Sequence, residues 1–414
     1  MHYKSVLESV HISRSTEQPA VIAEREYRRR LDDWSAYRTG IVLRGHEAFV
    51  IAYAGLTGKM DRIRDREDKI AGLWNRLPPV ARRAYLFDLI GAELESTNDI
   101  EGVRSTRREI SDALEAAGQE AAPHRRFSDF ARLFLTLADD DPERYALPRT
   151  LQDIRGIYDR VVAGEVKGEQ LPDGDLFRKE AVYIDDMATG RRIHTGITPE
   201  ADIKVALTQW LAFIGDRDIP PLIRACAGHC AFEYIHPFYD GNGRTGRFLF
   251  ALQLRQQVSI PTAISVSTVI SDGKNAYYKA LEDAQNPLNC QDLSKATDRM
   301  LGFIGDAQER LATDLTMKTK VLARTADRLQ AVKDTHRLDE HEANVLGALA
   351  QEELFGRTAS PVTRHRLMEG LGIGYRRTVS ATGRLTGLGL VERTGAHPIR
   401  YRLTHQARSL LHLA

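Results

Sequence analysis

The sequence predicts a mainly α protein of several domains with one small β-hairpin. Three observations carry that prediction. Apolar residues recur at helical spacing through most of the 414 positions. One stretch alone alternates as a hairpin: Ala181-Val182-Tyr183-Ile184, a turn over 185–190, and Arg191-Arg192-Ile193-His194. From about His341 the chain changes character, to three short helical patterns followed by two strand-like runs around Gly395 and Pro398.

Composition bounds the rest. Hydrophobic residues make up 42% and charged residues 28%, which excludes wholesale disorder and leaves ample core material. Lys+Arg number 58 against 57 Asp+Glu, so no global field draws the chain to nucleic acid or anionic lipid. Cys226, Cys230 and Cys290 are too few and wrongly spaced for a disulfide framework or a zinc module. The first nineteen residues lack the apolar run of a signal peptide, and no stretch reaches the ~18 apolar residues of a membrane span. A cytoplasmic location is the resulting expectation.

The elements follow in order. The basic run Arg25 to Arg30 around Tyr27 reads as a solvated helix face. Helical spacing covers about Glu47 to Trp74. Pro79 is placed to open a helix over Val80 to Ser96, with Tyr85, Leu86, Leu89, Ile90 and Leu94 near one face. Further helices are predicted over 105–117, 127–137, 151–161, 200–214, 220–235, 243–257, 274–284 and 291–332. The three expected segments are 1–122, an N-terminal helical region; 123–332, a core domain; and 333–414, a C-terminal module.

The strongest chemical signal is His236-Pro237-Phe238-Tyr239-Asp240-Gly241-Asn242-Gly243-Arg244-Thr245-Gly246-Arg247. One helix ends near Ile235, and a glycine-rich loop precedes another that begins near Arg244. Backbone N–H groups bared at such a helix start form an anion site. Arg244 and Arg247 share a helix face there, and two guanidinium forks suit a polyphosphate. Asp240 can hold a hard cation such as Mg²⁺. His236 can act as a general base toward a hydroxyl. A Zn²⁺ site on His229, His236 and Cys226 is the weaker reading, because no fourth ligand is evident. Cys226 and Cys230 are most simply small buried apolar residues.

The segment resembles the signature of the Fic family, H-x-F-x-[D/E]-G-N-G-R-x-x-R, at every specified position. The likeness extends upstream through Ala227 to Ile235 and downstream to Tyr277-Tyr278-Lys279-Ala280-Leu281. It implies a Fic helical core that transfers AMP from ATP to a Ser, Thr or Tyr hydroxyl of a target protein. In that resemblance His236 deprotonates the hydroxyl, and Asp240 binds Mg²⁺ bridging the α- and β-phosphates. Gly241, Asn242 and Gly243 cradle those phosphates, with Thr245 and Gly246 in the same cofactor-binding run. Arg244 meets the β-phosphate region and Arg247 the γ-phosphate. Phe238 anchors the loop, and Tyr278 and Gln285 meet adenine, although the family often has Asn where Gln285 falls. The hairpin residues Val182, Tyr183, Ile184, Ile193, His194 and Thr195 correspond to a target-binding flap that works by strand addition.

Thr97-Asn98-Asp99-Ile100-Glu101-Gly102 resembles the family's inhibitory pattern, [S/T]-x-x-x-E-[G/N]. Read alone, it is a helix end closed by Gly102. Beside a Fic core it implies that Thr97 and Glu101 restrain Arg247 and deny the γ-phosphate its partner. The C-terminal module reads as a winged helix-turn-helix. Ten arginines from Arg357 to Arg408 stand against Glu369 and Glu392, which points to DNA contact through residues 357–408. The expected partners are therefore ATP, a target hydroxyl, the chain itself as a target, a further copy in a homo-oligomer, and DNA, with no membrane. Two other readings stand beside adenylyl transfer: a hydrolase that removes AMP, and a DNA-binding regulator whose Fic core senses nucleotide.

Overall fold

The computed structural model describes residues 3–118, 125–139, 141–185, 192–357 and 361–413. In chain order the first elements are α1 (Val6–Ile12), α2 (Pro19–Leu31), β1 (Ala36–Leu43), β2 (His46–Ile51), α3 (Ala54–Asn75) and α4 (Pro79–Ile100). Next come α5 (Arg107–Ala117), α6 (Ser128–Thr136), α7 (Leu151–Val161), β3 (Tyr183–Asp185), β4 (Arg192–Thr195), α8 (Glu200–Gly215), α9 (Pro221–Ile235) and α10 (Asn242–Arg255). The rest are α11 (Ile260–Ala263), α12 (Val266–Asp272), α13 (Lys274–Gln285), α14 (Ser294–His336), α15 (Glu340–Phe355), β5 (Val362–Thr363), α16 (Arg364–Leu371), α17 (Tyr375–Gly387), β6 (Val391–Thr394), β7 (Arg400–Leu403) and α18 (His405–Leu410). The protein is mainly helical, as the periodicity predicts. No described helix is long and apolar enough to cross a membrane.

The chain forms two compact units, one of residues 1–67 and 92–308, the other of 68–91 and 309–414. The three segments expected from the sequence are distributed over these two.

The first unit is organised around α9, which packs on both α8 and α10. All but two residues of α9 are buried, and α10 is buried from Asn242 to Leu254. Trp210 of α8 is fully buried and donates its indole N–H to the Gly228 carbonyl at 2.7 Å. Cys226 and Cys230 are buried here as free thiols, as expected. Ends of several helices are locally encoded: Ser5, Thr106 and Thr150 each form a reciprocal capping box with the acid three residues on.

One correction concerns 36–51. The helical reading from Glu47 fails there, and an antiparallel hairpin, β1–β2, occupies the region. Ala48, Phe49, Val50 and Ile51 are a short buried run, which periodicity alone cannot assign to helix or strand. The turn is made by Arg44 and Gly45, both with positive φ. In the basic run of α2, Arg28 and Arg29 form exposed ion pairs with Glu24 and Glu26, whereas Tyr27 and Arg30 are buried.

The second unit has its own apolar cores. One gathers Ile70, Trp74, Tyr85, Leu315 and Phe355, and the Tyr85 hydroxyl donates to Asp314 at 2.6 Å. The other joins α15, α16 and α17 to a three-stranded sheet in the order β5-β7-β6, with Val345, Leu346, Leu385, Leu390 and Tyr401 at its centre. Pro79 opens α4, as predicted. β5 and α18 were not foreseen, since both are too short for a periodicity to show.

Candidate active site

α9 stops at His236, whose backbone is left-handed (φ 51°, ψ 62°) while its N–H still donates to the Phe232 carbonyl. The chain then turns back, and Asn242 closes the turn. Its side-chain oxygen accepts the Phe238 N–H at 2.9 Å and its amide donates to the Phe238 carbonyl at 2.8 Å. Phe238 is fully buried and stacks on Tyr158 of α7, ring centres 3.7 Å apart, so the loop is pinned into the core. Gly241 caps the start of α10 with φ 79°, a conformation that only glycine adopts without strain. The N-terminal N–H groups of α10 therefore face the loop, where anions are favoured. Asp240 is partly exposed at the rim and accepts the Gly241 N–H at 2.6 Å.

The catalytic candidate His236 is partly exposed, with its Nδ1 buried. Burial lowers its pKa to about 4, the nearby Arg178 charge adding to the shift and the Glu233 carbonyl opposing it. The imidazole is thus neutral and able to accept a proton across the physiological range. Arg178 itself is fully buried, without a carboxylate partner among the described residues. Its guanidinium donates to the His236, Glu180 and Ile197 carbonyls at 2.9, 2.6 and 2.8 Å. It ties the turn at His236 to both chain segments flanking the hairpin.

Arg244 and Arg247 are buried, with side chains 1% and 2% exposed, so they face the loop and its neighbours rather than solvent. Each meets a carboxylate. Arg247 Nε donates to Thr97 Oγ1 at 2.7 Å, and its Nη2 donates to the Thr97 carbonyl at 3.1 Å and to Glu101 Oε1 at 2.8 Å. A Cβ placed on Gly243 would lie 2.2 Å from Glu101 Oε1, so this carboxylate rests directly on the glycine of the cradle. α4 ends there: Gly102 has φ 69°, and Val103 N–H donates to the Asn98 carbonyl at 2.8 Å. Glu101 therefore sits at a helix C-terminus, where the dipole disfavours negative charge and Arg247 compensates.

Thr245 and Gly246 are buried inside α10. Tyr278 exposes 45% of its surface, and its hydroxyl donates to the Ile100 carbonyl at 2.9 Å, next to Glu101. Gln285 is buried at the last turn of α13. Loss of the Tyr278 hydroxyl in Tyr278→Phe is expected to loosen the end of α4, read as faster hydrogen exchange of the amides around Ile100; unchanged exchange would show that this hydroxyl does not hold the helix end.

His229 is excluded as a ligand with His236. Its Nε2 pairs with the Tyr277 hydroxyl at 2.9 Å and its Nδ1 with the Gly246 carbonyl at 3.2 Å, and burial lowers its pKa to about 3. No cluster of three metal-ligating side chains occurs among the described residues. One carboxylate beside a phosphate cradle is nonetheless the usual protein contribution to Mg²⁺, which takes its other ligands from phosphate and water.

The flap residues fall as follows. Tyr183 pairs with Thr195 and Ile184 with His194 across β3 and β4, and the Val182 carbonyl accepts the Gly196 N–H. Tyr183 is half-exposed. His194 faces inward: it is buried, with Nε2 2.7 Å from the Tyr234 carbonyl. Ile193 belongs to β4 in the backbone, and the turn over 186–191 lies outside the described residues. Arg44, at the tip of the unforeseen β1–β2 hairpin, donates to the Thr195 carbonyl at 3.0 Å and braces the flap. Sequence reasoning missed Arg44, Tyr158, Arg178 and Glu165, the last of which accepts from Arg244 Nη1. None of them belongs to the contiguous motif, and only the fold brings them to it.

A helix-capped anion turn thus lies between two buried helices with a histidine at its mouth, and residues 148–254, which contain it, match the family model described as the Fic/DOC family. Among curated proteins, the chain is similar to the protein adenylyltransferase Fic of Drosophila mojavensis, 34% identical over 101 residues that make up 24% of this chain and 18% of that protein. It is also similar to the protein of the same name from Nematostella vectensis, 27% identical over 198 residues, 47% of this chain and 40% of the other. The matched regions thus span less than half the length of these relatives. Among solved structures, a Fic family protein from Desulfovibrio desulfuricans G20 is 21% identical, covering 86% of this chain and 97% of that one with a TM-score of 0.48.

Proposed function

We propose that the chain is a Mg²⁺- and ATP-dependent protein adenylyltransferase held in check by Glu101. The observation that carries this reading is the convergence of a neutral His236, the N-terminus of α10 and the buried Arg247 on one turn. The target's hydroxyl oxygen attacks the α-phosphorus, His236 takes the hydroxyl proton, and the bond to the leaving pyrophosphate breaks. Cradle N–H groups and Arg244 and Arg247 neutralise the phosphate charge, so positioning and electrostatics supply most of the rate. Asp240 would hold Mg²⁺, which shields the phosphate oxygens when bound. The flap edge would align an extended target segment by strand addition. Incubating the Glu101→Gly variant with ATP and Mg²⁺ tests the reading: an intact-mass spectrum is expected to show an added AMP on the chain itself. A folded variant that hydrolyses or ignores ATP without gaining that mass would reject it.

Hydrolytic removal of AMP is the second reading. It is favoured by the position of Glu101, one-quarter exposed and lying on Gly243, where a carboxylate could orient water.

For the C-terminal module we propose a winged helix that contacts duplex DNA through α17. Tyr375, Arg376, Arg377 and Val379 are exposed along its first turns. The support is narrower than the sequence count implies. Arg366, Arg384, Arg402 and Arg408 pair with Glu352, Glu342, Glu392 and Glu353, three of which lie in α15, just before the counted stretch. Binding of the full chain to duplex DNA is expected to weaken about tenfold in an Arg376→Ala/Arg377→Ala double variant at low salt. Equal binding by the two proteins would remove α17 as the contact.

A further inference from the structure

The two phosphate-site arginines are each met by a carboxylate, but the two carboxylates are held very differently. Glu165 lies in the turn after α7, with a side chain only 6% exposed. Its Oε1 accepts from Arg244 Nη1 at 2.9 Å, and its Oε2 accepts from Arg126 Nη2 at 3.3 Å. Arg126 is itself fixed, because its Nη1 donates to the Arg104 carbonyl at 3.0 Å and its guanidinium lies over the Phe127 ring at 4.2 Å. Both oxygens of Glu165 are therefore committed. Burial pushes its carboxyl pKa up, opposed by Arg244 and Arg126.

Arg244 is the complement. Its Nη1 is taken by Glu165, while its buried Nε has no hydrogen-bond partner among the described residues. Its Nη2 lies 3.8 Å from where a Cβ on Gly241 would stand. A buried, unsatisfied donor is costly unless an acceptor is meant to reach it. Glu101, by contrast, is one-quarter exposed and sits just past the end of α4.

We propose that Glu165 is a positioning residue that aims Arg244 at the β-phosphate of the nucleotide and stays in place when the nucleotide binds, whereas Glu101 is displaced. The inference rests on the nucleotide-binding reading above and assigns the two carboxylates opposite signs. An oriented guanidinium keeps Nε and Nη2 for the phosphate without paying for reorganisation at binding.

The test uses the full chain and compares Glu101→Gly with Glu101→Gly/Glu165→Gln, the near-isosteric change that removes the charge. Calorimetric titrations with ADP and with AMP separate the phosphate subsite from the rest. The second variant is expected to bind ADP about tenfold more weakly and AMP equally well, with KM for ATP rising more than kcat falls. Equal ADP binding, or tighter ADP binding as for a second brake, would overturn the assignment. So would a parallel loss of AMP and ADP binding, which marks a merely structural carboxylate. Glu165→Asp, which keeps the charge, is expected to recover part of the ADP affinity, and failure to do so counts against charge as the cause. If Glu101→Gly alone binds no nucleotide, the nucleotide reading fails before this comparison begins.

Discussion

Glu101→Gly is expected to raise incorporation of AMP from labelled ATP about 10- to 100-fold over the wild-type chain. The range follows from one charge-assisted hydrogen bond to a buried guanidinium, about 1.5–3 kcal/mol. The variant removes the carboxylate that covers Gly243 and accepts from Arg247 Nη2, freeing that N–H and the cradle surface for a γ-phosphate. Thr97 still holds Arg247 Nε at 2.7 Å, so the guanidinium stays near its present position. The change also removes a negative charge from a helix C-terminus, so the helix itself loses little. Glu101→Gln, which keeps the size but not the charge, should give a smaller rise. If neither variant labels faster than wild type while ATP still binds, Glu101 is no brake.

His236→Ala in the Glu101→Gly background is expected to abolish labelling, a loss of at least about 100-fold, while ATP binding persists. The pH dependence adds a sharper check. With the imidazole pKa lowered to about 4, the base is deprotonated above that value, and its activity is lost only as pH falls through it. The acid limb of kcat should therefore lie near pH 4 rather than near the unperturbed ~6.5. Burial sets most of this shift, and the charge of Arg178, which donates to the His236 carbonyl, adds to it. Neutral substitution of Arg178 should move the limb upward. A limb near 6.5 in the parent would mean that His236 is solvated as the reaction proceeds.

The sequence was most legible where chemistry and local conformation coincide. The turn from His236 to Arg247 is contiguous, and glycine, asparagine and proline there dictate the same bend that the ligand needs. The contact of Thr97 and Glu101 with Arg247 was legible because the two share a helix face and Gly102 ends the helix. The β1–β2 hairpin was not, since a short fully buried run carries no period. Arg178, Glu165 and Arg44 were not legible either: an arginine satisfied by carbonyls, or by an acid 79 positions away, leaves no local pattern. The charge count of the C-terminal module began just after the three α15 acids that pair with Arg366, Arg384 and Arg408, so those pairs did not enter it.

The lacing of Arg178 to three carbonyls has a kinetic consequence. A mould whose walls are already set asks nothing of the guest: neither triphosphate nor alcohol has to shape the bend around the imidazole. On the proposed reading, the waiting time of the resting protein then belongs to the latch at the end of α4 and not to the chamber behind it, and moving one carboxylate is enough to open the site.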